Sequence, residues 1–330
     1  MTTKASESVT APRPGAGDRT TVAPAVAHAP ESIAAGTGMD AVTLLVGDLD
    51  TQLRFYRDVL RLAVVEQPLD RLGSGPSQVT LGRGTTPLVV LRHAPELPPA
   101  RRGSAGLFHT ALLFDDRSDL AETLASVARY APGTYTGSAD HLVSLAFYLT
   151  DPEGNGVELY WDRPREQWRH TADGAVVMDS LRLDPNEFLG EHLTEARLER
   201  LEAAAPSGTP VDGDTVVGHV HLSVGDVPSG RAFYVDALGF DVTAQWHGAL
   251  FVSAGGYHHH LAMNTWASAG AGPRASSLGL GEVRILVPTA DDLGALAARV
   301  ARAGVQGEHD GATLRFEDPW RNVIRVAAAA

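Results

Sequence analysis

The chain repeats parts of its own sequence, and these repeats limit the folds open to it more than any other feature does. The segment VGDLDTQLRFYRDVLRL, which begins at Val46, is echoed by VGDVPSGRAFYVDALGF, which begins at Val224. A second pair relates FYLTDPEGNGVELYW, from Phe147, to LRFEDPWRNVIRVA, from Leu314. Repeats of this length are typical of repeated structural units. The sequence therefore predicts a chain of similar modules.

Each repeated unit has the pattern of one strand, one helix and then three short strands. Residues 42–46 alternate in hydrophobicity as a half-buried strand does. Asp48 and Asp226 follow where helices begin, as N-cap residues do. Apolar residues at helical spacing come next, and short strands with glycine-rich turns complete the unit. First strands are placed near Asp40, Leu107, Val217 and Gly281. We therefore predict four β-α-β-β-β modules.

The modules form two halves that a polar linker joins. Residues 38–162 carry modules one and two, and residues 216–330 carry modules three and four. The linker, residues 163–215, is predicted to hold a short helix around residues 191–204. Residues 1–37 are mainly Ala, Pro, Ser, Thr and Gly. Such a composition cannot bury enough surface to offset chain entropy, so we predict a disordered tail.

The amino-acid composition limits which partners and which metal ligands the chain can have. The formal charge of −13 argues against a nucleic-acid partner, because phosphate backbones are bound by clustered Lys and Arg. The chain has no cysteine, so any metal must be held by carboxylates and by its 13 histidines. No apolar run approaches the length of a membrane span, and the first residues carry no signal pattern. We therefore expect a cytoplasmic protein without a membrane partner.

The modular pattern resembles the vicinal oxygen chelate superfamily, which includes glyoxalase I, fosfomycin-resistance proteins and type I extradiol dioxygenases. The resemblance covers nearly all of residues 38–328. It implies an α+β fold in which four βαβββ modules pair into two cupped mixed sheets. It also implies one metal inside a cup, held by ligands from the first strands of paired modules and the last strand of one. The fold alone does not select a reaction.

The segment ADHLVSLAFYLTDPEGNGVELYW, residues 139–161, resembles the extradiol dioxygenase signature. The signature has a His, a strand ending in Tyr, a turn containing Pro and Gly, and a Glu. Those positions are His141, Tyr148, Asp151–Pro152, Gly154 and Glu158, and Ala139 departs from the pattern. Strand alternation places Glu158 on the face opposite Val157 and Leu159. A carboxylate inside a cup is costly without a cation. Glu158 is thus a candidate metal ligand, although outside this motif it would be interpreted as a solvent-facing strand residue.

Histidines on two first strands complete the candidate metal site. In GHVHLSV, His219 and His221 share one strand face, and aliphatic residues share the other. In FHTALLF, His109 occupies the position in module two that His219 occupies in module three. The resemblance implies that His109, His219 and Glu158 bind the metal and that His221 contributes to the substrate pocket. A single strand histidine is otherwise more often a hydrogen-bonded core residue.

The run GGYHHHLAMNTW, residues 255–266, resembles the RHHSLAF-like strand of extradiol dioxygenases. Alignment on Leu261–Ala262 places His258 and His259 on the histidine pair of that strand. The resemblance implies that His259 is the acid–base residue and that His258 contacts the substrate. It also gives His141 and Tyr148 catalytic roles at the substrate oxygens. Without the resemblance, the run could be a surface cluster that scavenges metals.

No two consecutive modules within one half contain the full set of residues. Module one has Ala41 at its ligand position, and module four has Glu282 and Arg325 where a His and a Glu would be required. Modules two and three together contain all the others. We therefore predict that modules two and three pair across the linker as the active cup, and that modules one and four form a metal-free cup.

Two imidazoles and one carboxylate on one face of an octahedral metal leave three positions open, as in Fe(II) enzymes that activate oxygen. The resemblance implies an extradiol dioxygenase that uses Fe(II), with Mn(II) as the alternative. Its partners would be O2 and a small aromatic diol, catechol or a substituted catechol. The product would be of the 2-hydroxymuconic semialdehyde type. The sequence leaves open whether the protein forms a homo-oligomer.

Two other functions are compatible with the same fold. The first is a glyoxalase-type lyase or isomerase, or a thiol transferase, although such sites usually have more carboxylate ligands. The second is a non-catalytic protein that binds small molecules such as drugs, in which Trp246 and Trp266 could line the pocket. Oxygen uptake with a catechol would distinguish the dioxygenase from both.

Overall fold

The computed structural model describes residues 32–66, 77–203 and 214–329. Most of the predicted tail, residues 1–31, lies outside the described residues. Residues 32–37 are described, and Ile33 is buried in the core. The Ile33 N–H donates to the carbonyl of Gly239 at 2.8 Å. The packed part of the chain therefore begins before residue 38.

Each module has the predicted order of elements. A short strand, β1 (Gly38–Met39), comes before them. Module one contains β2 (Val42–Val46), α1 (Leu49–Arg54), β3 (Ala63–Glu66), β4 (Gln78–Arg83) and β5 (Thr86–His93). Module two contains β6 (Gly106–Phe114), α2 (Arg117–Tyr130), β7 (Tyr135–Asp140), β8 (Ser144–Thr150) and β9 (Gly156–Asp162). The linker contains β10 (Leu181–Arg182), α3 (Pro185–His192) and α4 (Glu195–Ala203).

The second half of the chain repeats the same order. Module three contains β11 (Thr215–Ser223), α5 (Val227–Arg231), β12 (Asp241–Trp246), β13 (Ala249–Ser253) and β14 (Leu261–Asn264). Module four contains β15 (Gly279–Val287), α6 (Ala290–Arg302), β16 (Gly307–His309), β17 (Thr313–Glu317) and β18 (Val323–Ala328). In modules one and three, the helix continues into a π-helical turn, Phe55–Val59 and Ala232–Ala237 respectively. The prediction of four βαβββ modules is confirmed.

The strands form two nine-stranded sheets, and each sheet joins one module from each half. One sheet has the order β10-β7-β8-β9-β6-β11-β14-β13-β12. The other has the order β16-β17-β18-β15-β2-β5-β4-β3, with β1 paired to β15. The antiparallel pairs β6–β11 and β2–β15 connect the halves. The predicted pairing of module two with three, and of module one with four, is confirmed.

The two sheets share one apolar core, which leaves the opposite face of each sheet free for polar residues. Val157 and Val220 of one sheet belong to the same buried cluster as Leu44 and Ile285 of the other. Burial of this common surface stabilises the fold by roughly 25 cal/mol per Å² of apolar area. Because strand side chains alternate, the neighbours of these residues point away from the core into the two cups.

The linker contains two helices where the sequence analysis predicted one around residues 191–204. Asp184 caps α3 by accepting from Asn186 N at 2.9 Å, and Pro185 occupies the first turn. Both are standard helix-start signals. Arg197 of α4 contacts the buried carboxylate of Glu122 on α2 at 2.9 Å, which fastens the linker to module two. In the part of the chain that the structure describes, no helix is long and apolar enough to cross a membrane.

Candidate metal centre

Three adjacent strands bring the predicted ligands together. Ala111 of β6 lies between Glu158 of β9 and His219 of β11 in the strand register. Its small side chain leaves room for both neighbours, and His109 lies two residues along β6 on the same face. His109 Nε2 is 3.0 Å from Glu158 Oε2, and His219 Nε2 is 3.3 Å from the same oxygen. The two Nε2 atoms are 3.4 Å apart. One ion could contact all three atoms.

The protonation states of this group suit a cation. Burial lowers the pKa of His219 to about 4, so its imidazole is neutral near pH 7. Burial raises the pKa of Glu158, but His219 and His109 outweigh that effect and hold the pKa well below its usual range. An ionised carboxylate beside the neutral imidazole of His219 suits a divalent metal. Among the described residues, this is the group of His and carboxylate side chains with metal-binding geometry.

His141 and Tyr148 lie beside the ligands. The Tyr148 ring is 5.7 Å from the ring of His109. His141 Nδ1 is 2.7 Å from the carbonyl oxygen of Asp179, which can only accept. In the neutral ring, His141 Nε2 is then the acceptor for the Tyr148 hydroxyl, at 2.6 Å. Burial, followed by the charge of Glu158, raises the pKa of Tyr148 well above its usual value. The hydroxyl therefore keeps its proton.

His259 packs directly on a ligand, whereas His258 lies further away. The rings of His259 and His219 are 4.0 Å apart, and those of His258 and His219 are 6.0 Å apart. His258 is completely buried. Its Nε2 is 2.9 Å from Asp162 Oδ1, and its Nδ1 is 2.7 Å from His259 Nδ1. Both ring nitrogens of His258 are thus engaged by protein groups. The predicted contact between His258 and the substrate stays a prediction.

His221 lies in an aromatic wall beside the ligands. Its ring is 4.9 Å from both His109 and Phe108, and 5.6 Å from Trp266. Asn264 Nδ2 lies 2.9 Å from His221 Nε2 and can donate to it. Burial, followed by repulsion from His109, lowers the pKa of His221 well below its usual value. A neutral His221 in apolar surroundings suits contact with an organic ligand.

Sequence reasoning missed several polar residues that support the site. Asp162 ends β9, four residues beyond Glu158, and accepts from the Tyr257 hydroxyl through its second oxygen at 2.7 Å. Tyr257 in turn meets the Tyr160 hydroxyl at 2.7 Å. The strand alternation of Glu158, Tyr160 and Asp162 could have indicated that all three share the inner face. Their partners on the third module could not be inferred, because they are distant along the chain.

The second cup has an ion-pair cluster at the corresponding positions. Glu282 lies at the position of His109, Arg284 at that of Ala111, and Arg325 at that of Glu158. Glu282 Oε1 contacts Arg284 Nε at 2.9 Å and Arg325 Nε at 3.0 Å. A carboxylate engaged by two guanidinium groups is satisfied without a metal.

A family model confirms the resemblance. The model of the Glyoxalase/Bleomycin resistance protein/Dioxygenase superfamily matches residues 38–159 and 216–326. The chain belongs to this superfamily. Catechol-2,3-dioxygenase of Bacillus subtilis (strain 168) is 37% identical to it over 294 residues, which cover 87% of this chain and 96% of the relative.

Solved structures show the same fold at low sequence identity. A candidate dioxygenase from Bacillus subtilis subsp. subtilis str. 168 has a TM-score of 0.59 and 14% identity, with 90% of this chain and 86% of that chain covered. Glyoxalase I from Zea mays has a TM-score of 0.52 and 16% identity, with 89% of this chain and 92% of that chain covered. These two likenesses concern the fold, which hosts more than one reaction.

Proposed function

We propose that this protein is an extradiol dioxygenase that inserts O2 into catechol or a substituted catechol and gives a 2-hydroxymuconic semialdehyde-type product. The observation that carries the proposal is the convergence of His109, His219 and Glu158 beside the pairs His141–Tyr148 and His258–His259. The 37% identity to a catechol-2,3-dioxygenase over most of the chain supports it.

Fe(II) is the proposed metal, with Mn(II) as the alternative. His109, His219 and Glu158 would hold it, because two imidazoles and one carboxylate on one face are the ligand set of oxygen-activating non-haem iron enzymes. When bound, the metal would supply open positions for a diol and O2 and the redox chemistry that joins them. The buried carboxylate of Glu158 would neutralise part of the metal charge.

His259 is the proposed base for one catechol hydroxyl. Burial, followed by repulsion from His219 and His258, lowers the pKa of His259 well below its usual value. The ring is therefore neutral near pH 7 and can accept a proton from the diol. It would later return that proton to the product side of the reaction, as an imidazole acid–base group does.

Tyr148 is the proposed partner of the other hydroxyl. Because its own proton is donated to His141, its oxygen presents lone pairs and can accept from a catechol O–H. One catechol oxygen would then lose its proton to His259. The other would keep its proton and donate it in a hydrogen bond to the Tyr148 oxygen. This asymmetry would hold the bound diol as a monoanion.

The aromatic wall would bind the ring of the substrate. Phe108 and Trp266 pack edge to face, with ring centroids 5.6 Å apart, and Phe251 lies 6.0 Å from His221. Apolar rings exclude water and strengthen the electrostatic contacts at the reacting oxygens. They favour a flat aromatic diol over a small aldehyde adduct as the substrate.

The decisive experiment is metal loading followed by substrate addition. Metal-free protein is loaded anaerobically with Fe(II), or in parallel with Mn(II), and catechol and air are then added. We expect one O2 consumed per catechol and a yellow ring-fission product. If neither the Fe(II)-loaded nor the Mn(II)-loaded protein consumes oxygen with catechol, the proposal is refuted. Turnover of methylglyoxal with a thiol would identify a glyoxalase-type enzyme instead, and drug binding without bound metal would identify a binding protein.

A further inference from the structure

We propose that Asp162 and His258 are positioning residues that fix the tautomer of His259, so that His259 presents an unprotonated Nε2 to the substrate. This inference rests on the proposed function for its catalytic consequence. The hydrogen-bond chain itself is a property of the protein and can be tested separately. Neither residue needs to touch the substrate for this role.

The positions of the protons in the hydrogen bonds that join Asp162, His258 and His259 follow from Asp162. A carboxylate only accepts, so His258 must carry its proton on Nε2, which lies 2.9 Å from Asp162 Oδ1. In the neutral His258 ring, Nδ1 is then an acceptor. His259 Nδ1, at 2.7 Å, must therefore carry the proton of that ring. The consequence is that His259 Nε2 has a free lone pair.

Asp162 is itself held in one orientation. Its Oδ2 accepts from the Tyr257 hydroxyl at 2.7 Å, and that hydroxyl also meets Tyr160. Its backbone ends β9, the strand that carries Glu158. Asp162 and the candidate metal ligand Glu158 are thus positioned by the same strand.

The burial of His258 and His259 makes the preference for one tautomer strong. His258 is completely buried, and His259 is 9% exposed. In such surroundings a hydrogen bond that is lost is not replaced by one to water, so an unsatisfied polar group is costly. The opposite tautomer would place N–H groups of His258 and His259 against each other or leave Asp162 without its donor. Either arrangement is therefore disfavoured.

The first test measures the tautomer directly. Protein with 15N-labelled histidine is loaded with diamagnetic Zn(II), and long-range 1H–15N spectra are recorded. We expect His259 in the Nδ1–H form in the wild type. Asp162→Asn, whose amide can donate to His258 Nε2, and His258→Phe, which removes the acceptor, should each populate the Nε2–H form. An Nε2–H signal in the wild type, or unchanged signals in both variants, would overturn the inference.

The second test measures the catalytic consequence in iron-loaded protein. Asp162→Asn and His258→Phe should lower kcat for catechol by roughly 100-fold, with KM for catechol and the bound iron unchanged. His260→Asn is the matched control in the same run of histidines, because its Nδ1 only accepts from Ala254 N and lies outside the chain. Its kcat should stay near wild type. Unchanged kcat in both chain variants would overturn the positioning role.

The two tests separate this inference from the proposed function. If the wild type shows the Nδ1–H tautomer but consumes no oxygen with catechol, the proposed function fails and the hydrogen-bond chain stands. If oxygen is consumed but the variants keep the wild-type tautomer and rate, the dioxygenase stands and the positioning role fails.

Discussion

At the residue scale, the same strand position serves two purposes in the two cups. Glu158 and its counterpart Arg325 lie at the same point of the last strand of an even-numbered module. Glu158 faces two histidines, and Arg325 faces a carboxylate. Replacement of a ligand set by an ion pair leaves the fold intact, because either set satisfies the buried charge. The chain therefore contains its own matched control for the metal centre.

Glu158→Gln should abolish tight binding of divalent metal. The amide has a similar shape but no charge, and loss of a ligand should exceed the roughly 10–100-fold effect of losing an outer-shell partner. Metal content after gel filtration and titration with Co(II) measure the affinity. Glu282→Gln in the second cup is the control and should bind metal normally. Retained affinity in Glu158→Gln would contradict the predicted ligand set.

His259→Phe should keep metal affinity and catechol binding but lose turnover. Removal of an acid–base group costs roughly 100-fold or more in kcat. Steady-state oxygen uptake gives kcat, and anaerobic catechol titration gives the affinity. A variant with wild-type kcat would exclude His259 from the mechanism.

At the element scale, the two sequence repeats make equivalent contacts. The π-helical turn of module one places Tyr56, whose hydroxyl donates to Asp151 in the turn before β9 at 3.1 Å. In the same way, Tyr234 of module three donates to Asp318 in the turn before β18 at 2.9 Å. Each repeat therefore links consecutive modules that belong to different sheets. This shared contact accounts for the presence of both repeated segments in each half of the chain.

Tyr56→Phe should lower the free energy of unfolding by about 1–3 kcal/mol, because it removes a donor from a buried carboxylate. Urea denaturation measures the difference. Tyr135→Phe is the control, since its hydroxyl bonds to the half-buried Ser138 and its loss should cost less, about 0.5–1.5 kcal/mol. Equal effects from the two variants would show that the Tyr56–Asp151 contact does not secure the modules.

At the scale of the whole molecule, folding buries several histidines in neutral form. Burial lowers the pKa of His260 to about 3 from an ordinary value of 6.5. The unfolded chain therefore binds a proton at this residue between about pH 6.5 and pH 3, whereas the folded protein does not. Stability should fall as the pH falls through that window.

His260→Asn should reduce the pH dependence of stability. The native histidine contributes up to about 1.4 kcal/mol per pH unit to the slope below pH 6.5, and the variant lacks this titration. Urea unfolding of metal-free protein at about pH 7 and about pH 5 gives the two slopes. Identical slopes would show that folding does not lower the pKa of His260.

Much of the fold followed from local patterns. Asp48 and Asp226 cap their helices as predicted, because an N-cap depends on neighbours a few residues away. The first strands of all four modules were also located, since alternation is visible in the sequence. The linker helix predicted around residues 191–204 corresponds to α4. The helix that begins at Pro185 was not predicted, because it has little apolar periodicity and packs against module two.

The candidate site was partly predictable. His109, His219 and Glu158 were found by resemblance and by strand alternation, and the structure brings them together. Asn264 and Asp162 were not found, because a hydrogen bond between residues on different modules leaves no local pattern. The hydrogen-bond order through His258 likewise depends on a partner that is distant along the chain.

The sequence by itself determined the modular architecture, the faces of the strands and the types of side chain available for a metal. Those features depend on short-range periodicity and composition. Only the tertiary structure decided that Glu158 Oε2 lies within 3.3 Å of two imidazole nitrogens and that His258 joins Asp162 to His259. These distances depend on the register between strands from opposite halves, which is set by packing of the shared core rather than by any local segment.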